Sequence, residues 1–103
     1  MGRKEALSES YFYILLCLSQ GDNHGYGIMQ MSKELSGGAV CIGPGTMYGA
    51  TQNMLEKGWI REVMSEEPGQ ERRRLYQLCD SGRQALQAEK ERLRRMLRDA
   101  GEE

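Results

Sequence analysis

The chain has 103 residues, 39% of them hydrophobic and 28% charged, an ordinary balance for one small globular domain with a modest core. Its longest apolar run, around residues 14–18, falls well short of the roughly 18 residues of a membrane span, and three scattered cysteines with one histidine and no CxxC pair make no zinc set. The net charge of −1 lacks the basic excess usual in nucleic-acid binders, so a role of that kind has to rest on how the charge is distributed.

The N-terminal stretch turns polar again before any cleavage-like site, and the thiols read as buried in a reducing compartment. A cytoplasmic protein is expected. Leu7, Tyr11, Ile14, Leu15 and Leu18 fall at helical spacing, and Phe12, Leu16 and Cys17 fill a second face. A helix apolar on two sides predicts that one face meets its own core and the other a second chain; the alternative is a central core helix with no partner. Residues 21–27, GDNHGYG, read as a turn. His24 lies in it and is expected to stabilise the turn, since no nucleophile or acid signature accompanies it. A second helix carries Ile28, Met31 and Leu35 and stops at Gly37 and Gly38. Residues 39–42 are expected to form a very short strand.

A third helix runs from about residue 44 to 57, opened by Pro44 at its first position and closed by Gly58. Met47, Ala50, Thr51, Met54 and Leu55 share one side; Thr46, Gly49, Gln52, Asn53 and Glu56 share the other, with Tyr48 on the border. Residues 60–66 and 73–79 alternate as strands about a Pro-Gly turn at 67–70, giving a hairpin whose returning arm is rich in arginine. Asp80 or Ser81 can cap a last helix, which carries Leu86, Leu93, Met96, Leu97 and Ala100 as a stripe. The order helix, helix, helix, hairpin, helix predicts a mainly α protein with a small β-hairpin. Residues 1–80 form a winged helix-turn-helix and residues 81–103 a C-terminal dimerisation helix.

On that fold the third helix is a recognition helix with a thin outer face. Gln52 and Asn53 carry the donor–acceptor pair that reads adenine; the bland alternative is a solvated helix face. Thr46 suits phosphate contact at the helix start, Tyr48 offers a hydroxyl at the groove edge, and Gly49, with Gly45, permits close backbone approach. On the wing Arg72, Arg73 and Arg74 can reach phosphate, although strand alternation turns Arg73 away from the other two; the alternative is a solvated charge run. Lys33 on the second helix is a further phosphate candidate. Tyr11, Leu15, Leu86, Leu93, Met96 and Leu97 are the expected dimer contacts. Trp59 reads as a core residue between helix and hairpin.

These segments resemble the PadR family of bacterial transcriptional regulators. YILLCLSQGDNHGYGI (13–28) is similar to the family's first helix and HGY turn, PGTMYGATQNMLEKGWI (44–60) to its GTLYPAL…LE..GLI stretch, and RRRLYQLCDSGRQAL (72–86) to its RRYYRLTxxGR segment. Gly49 stands where the family has proline, Thr51 where it has leucine, and Cys79 where it has threonine. The length is similar to the short subfamily with a single C-terminal helix. The resemblance implies a homodimeric repressor on double-stranded DNA, with the terminal helix of each subunit packed on its partner. It also implies a cavity at the dimer interface open to a small-molecule effector. The terminal-helix tryptophan that stacks drugs in some members is absent, the only tryptophan being Trp59.

The function expected is therefore a DNA-binding regulator, a repressor on a pseudo-palindromic operator, with no cofactor or metal and no membrane contact. The reading from another class is a winged-helix protein–protein interaction module without DNA binding. An enzyme is the weakest reading, because no activated nucleophile or metal set accompanies the fold.

Overall fold

Ser8 starts the first helix: its Oγ accepts from the Tyr11 amide at 3.1 Å, and Glu9 lies in the first turn, where the helix dipole favours an acid. In the computed structural model, which describes residues 6–69 and 73–102, that helix is α1 (Glu9–Leu18). It is followed by α2 (Gly25–Leu35), α3 (Pro44–Lys57), β1 (Ile60–Met64), β2 (Arg74–Leu78) and α4 (Asp80–Asp99). The four helices and the two-stranded antiparallel hairpin make a winged helix.

The core is one cluster built from every element. Ile14, Leu15, Cys17 and Leu18 of α1 meet Ile28 of α2, Met47, Ala50 and Met54 of α3, Ile60 and Leu78 of the hairpin, and Leu86 of α4. Leu15 is 0% exposed and Leu86 3%. This corrects the expectation that both serve a dimer: their side chains are used up inside one protomer, because α4 crosses directly over α1. The hydroxyl of Thr51, on the inward arc, donates to the carbonyls of Met47 at 3.0 Å and Tyr48 at 3.1 Å, so its burial leaves no polar group unsatisfied.

The turn before α2 is held by a side-chain cap and a backbone bridge. His24 caps the helix, its Nδ1 accepting from the Gly27 amide at 3.1 Å. Asn23 forms a two-way backbone bridge with Tyr76 of β2. A Cβ at Gly27 would collide with the Asn23 side-chain carbonyl and push it off the His24 amide that it accepts from at 2.9 Å. Residues 39–42 form no strand, contrary to expectation. Asn23 already occupies the outer edge of β2, and the Val40 amide is taken by Ser36 Oγ at 2.8 Å. Val40 and Ile42 bury their side chains without a ladder.

α3 ends on Gly58, whose φ of 76° is open to glycine, with Trp59 N–H closing on the Met54 carbonyl at 3.0 Å. The hairpin pairs Ile60 with Leu78 through to Met64 with Arg74. The last helix is not capped by Asp80 or Ser81. Cys79 takes the cap position without a side-chain bond, and Ser81 Oγ instead donates to the Gly58 carbonyl at 2.7 Å, tying α4 to the end of α3. The approach is so close that a Cβ on Gly82 would strike the Trp59 carbonyl. Further along, Glu89 is buried and accepts two bonds from Arg92, at 2.6 and 3.0 Å. The Arg92 guanidinium outweighs burial and holds the Glu89 carboxyl below the usual range. Among the described residues, no helix is long and apolar enough to cross a membrane.

Candidate nucleic-acid interface

The burial of α3 sorts its residues by angle. At 100° per residue, Met47, Ala50, Thr51 and Met54 centre on the core. Opposite them stand Gly45, Gly49, Gln52 and Glu56. Tyr48 lies on one flank of this outer arc, and Thr46, Asn53 and Lys57 on the other. Thr46, Tyr48, Gly49 and Asn53 are exposed, Tyr48 to 68%, and Gln52 is half-buried. Nothing lies within reach of a Cβ at Gly45 or Gly49, so the helix presents bare backbone there. From residue 44 to 53 the helix carries no charged side chain. Over those residues the arc is thin and rich in hydroxyls and amides, with the positive end of the helix dipole at its start, and charge returns only at Glu56 and Lys57.

Asn53 does not stand alone on this surface. Its Nδ2 donates to the Tyr11 hydroxyl of α1 at 2.8 Å, which places Tyr11 at the α1–α3 joint. Lys57, one turn further on, lies over the Trp59 ring, 5.3 Å from its centre.

The charge lies on the wing, and much of it is paired. Arg74 meets Glu62 at 3.6 Å on one face of the hairpin. On the other face Arg61 Nε donates to Gln77 Oε1 at 2.6 Å, and Gln77 donates onward to Asp22 at 3.0 Å. Arg73 is exposed, and its backbone pairs with Ser65, one residue beyond the Met64–Arg74 pair. It therefore belongs to the opposite face from Arg74, as strand alternation requires. It borders a groove of about 580 Å³ between the wing and the start of α2, shared with Asp22, His24, Glu66 and Glu67. Burial and the nearby Arg73 charge both lower the His24 pKa from 6.5. Arg72 lies outside the described residues.

On α2, Lys33 is exposed in the last turn. The sequence reading missed two neighbours on the same helix. Tyr26 is 63% exposed, and its hydroxyl accepts from Gln30 at 3.1 Å. Tyr26, Gln30 and Lys33 are spaced i, i+4, i+7, the spacing of a single helix face, and that polar series was the available signal. Arg61 was likewise passed over for the arginine run downstream.

The expected dimer contacts divide in the same way. Leu15 and Leu86 belong to the core, and Tyr11 is half-buried against α3. Leu93, Met96 and Leu97 remain exposed, by 37%, 46% and 49%, on the outer half of α4. A groove of about 400 Å³ runs beside α4, lined by Leu7, Trp59, Ala85, Ala88 and Arg92 among others.

The model of the PadR-like family of transcriptional regulators matches residues 14–88. The chain belongs to this family. Its fold is similar to that of a PadR family regulator from Clostridium difficile, with 26% identity, a TM-score of 0.76, and coverage of 91% of this chain and 96% of that one. A transcriptional regulator from Clostridium thermocellum, at 23% identity and a TM-score of 0.76 over 89% of this chain and 86% of that one, shares the fold. Bacillus subtilis PadR, solved in complex with operator DNA, matches at 26% identity and a TM-score of 0.65, covering 76% of this chain and 44% of that one. No curated protein matches the chain at a significant level. The order of helices and hairpin is that of the PadR winged helix, with the hairpin as its wing.

Proposed function

We propose that this PadR-like chain is a cytoplasmic transcriptional repressor that binds a pseudo-palindromic operator duplex as a homodimer. The observation that carries the reading is the α3 outer arc. It is exposed except at the half-buried Gln52, uncharged from residue 44 to 53, and stripped of side chain at Gly45 and Gly49, which lets a helix backbone approach base edges in a major groove. Gln52 and Asn53 supply the groups that read bases; Thr46, Tyr48, Tyr26 and Lys33 supply phosphate contacts around them. Arg74 and the arginines beside it on the wing supply charge. The operator DNA bound by the B. subtilis relative supports the same use of the fold.

Dimerisation follows from unsatisfied apolar surface. Leu93, Met96 and Leu97 extend beyond the protomer core, and the groove beside α4 offers their counterparts an apolar side at Leu7, Trp59, Ala85 and Ala88 next to a polar one at Ser81, Gln84, Glu89 and Arg92. Two protomers then present two α3 helices to half-sites about 34–36 Å apart. Residues 81–103 take the dimerisation role from about Leu93 onward, the earlier turns of α4 being committed to the core. A small-molecule effector would sit between the paired α4 helices.

A salt titration on random duplex DNA separates this reading from a protein–protein interaction module, which the near-neutral charge and the Glu62–Arg74 pairing would suit. A repressor dimer engaging two or three cations per protomer loses affinity with a log–log slope of roughly −4 to −5. No measurable binding at low salt would end the DNA reading.

A further inference from the structure

Tyr11 and Asn53 are far apart in sequence, yet their side chains meet at 2.8 Å. Among the described residues this is the one hydrogen bond that ties a side chain of the α3 outer arc to another helix. The tyrosine end is the fixed one. Ser8 caps α1 one turn before Tyr11, Ile14 and Leu15 are fully buried one turn after it, and the phenol ring packs against the core. The asparagine end is the adjustable one, because its terminal torsion is broad and roughly two-fold. An asparagine amide has one carbonyl oxygen and two N–H donors. Reading adenine uses the carbonyl and one N–H. The tyrosine oxygen takes an N–H and leaves the other, with Oδ1, for a base.

We infer that Tyr11 is a positioning residue for DNA reading: its hydroxyl locks the Asn53 amide in the orientation that presents Oδ1 and one N–H to an adenine edge. The inference rests on the DNA-binding reading above and adds to it. Tyr11 is thereby assigned to the recognition helix of its own protomer rather than to the face of a second chain.

The test starts from duplexes selected out of a random pool by the wild-type protein. Affinities of wild type, Tyr11→Phe, Asn53→Ala and the double variant are measured on a selected duplex and on a scrambled one, with melting temperature and oligomeric mass as fold controls. Tyr11→Phe should lose about two- to tenfold on the selected duplex, the usual worth of one hydrogen bond, and nothing on the scrambled one. In the Asn53→Ala background the same change should cost nothing further. Asn53→Asp keeps the joint, with the tyrosine hydroxyl now donating, but offers no N–H to a base and adds a carboxylate beside the DNA; it should bind the selected duplex more weakly than Asn53→Ala and lose affinity on the scrambled one as well. Equal binding by Tyr11→Phe and wild type, equal losses on both duplexes, or an undiminished loss in the Asn53→Ala background would overturn the inference while leaving DNA binding intact. If wild type enriches no duplex, the DNA reading itself fails and takes the inference with it.

Discussion

Replacing Glu62 with glutamine should tighten DNA binding without regard to sequence. Glu62 lies on the same hairpin face as Arg74, which reaches it at 3.6 Å with 62% of its own side chain and 39% of the glutamate exposed. A pair this long and this wet is worth well under about 1 kcal/mol. Arg74 therefore leaves it for a phosphate at little cost, and most of the gain comes from removing a carboxylate from a surface that approaches phosphate. One extra phosphate effectively neutralised contributes a slope of about −0.9 and, at 0.1 M salt, roughly eightfold in affinity. For a dimer with two wings, partly screened, the expectation is about a three- to tenfold tighter complex and a slope steeper by about 1. Fluorescence anisotropy on a labelled duplex, titrated at several salt concentrations, reads both quantities. Fold stability should change by less than about 0.5 kcal/mol, which a denaturant midpoint checks. An unchanged affinity and slope in Glu62→Gln would remove this face of the wing from the DNA, and so would Arg74→Ala binding as wild type does.

Other expectations follow from single contacts. Leu93→Glu with Leu97→Glu should give a folded monomer, since neither side chain belongs to the core cluster; a sedimentation velocity run showing an intact dimer would remove the outer half of α4 from the interface. Gly82→Ala should destabilise by about 1–3 kcal/mol, because the new Cβ strikes the Trp59 carbonyl, although glycine to alanine inside a helix ordinarily stabilises by about 1 kcal/mol. A denaturant midpoint that rises would refute the close crossing of α4. His24 should make stability fall on acidification. Its folded pKa lies below 6.5, so its contribution is complete above about pH 6.5 and is lost as pH falls from there through the folded value, when a proton on Nδ1 displaces the Gly27 amide. His24→Ala should therefore cost about 1 kcal/mol near neutral pH and less in acid, and a cost that grows in acid would contradict the capping role.

The helices were legible because each was marked by period and punctuation at once. Pro44 and Gly58 bracket α3 in the sequence and in the structure, and Thr51 could be placed inward despite its hydroxyl because helix geometry leaves it no other side. Residues 39–42 misled because alternating burial is also what an irregular segment shows when it drops Val40 and Ile42 into a core; strand formation needs an open edge, and Asn23 had taken it. Leu15 and Leu86 misled for a related reason. Periodicity finds the apolar face of a helix, but whether that face meets its own protomer or a second one depends on the crossing of α1 and α4, which nothing local encodes. The cap of α4 lies one residue earlier than expected because the Cys79 amide closes on the Trp59 carbonyl at 2.8 Å, a partner on the other arm of the hairpin, which holds Cys79 extended and starts the helix at Asp80. At the site the arc of α3 could be read directly, whereas the Tyr11–Asn53 bond and the Glu62–Arg74 pair are tertiary and could not.

The distribution of charge explains how a chain of net charge −1 can serve the proposed role. Over residues 44–53 the surface proposed to enter the groove carries no charge, so discrimination there is proposed to come from hydrogen-bond geometry, where Gln52 and Asn53 act. The surfaces proposed to meet phosphate carry few cations, and Glu62, Asp22, Glu66 and Glu67 stand beside them. Non-specific affinity per protomer is then low, and binding becomes useful only when two protomers engage two half-sites together, the second at the high effective concentration set by the dimer. On this argument, the residues that decide occupancy of an operator are as much Leu93, Met96 and Leu97 as any that touch DNA. Losing the dimer should cost more affinity than losing any one wing arginine.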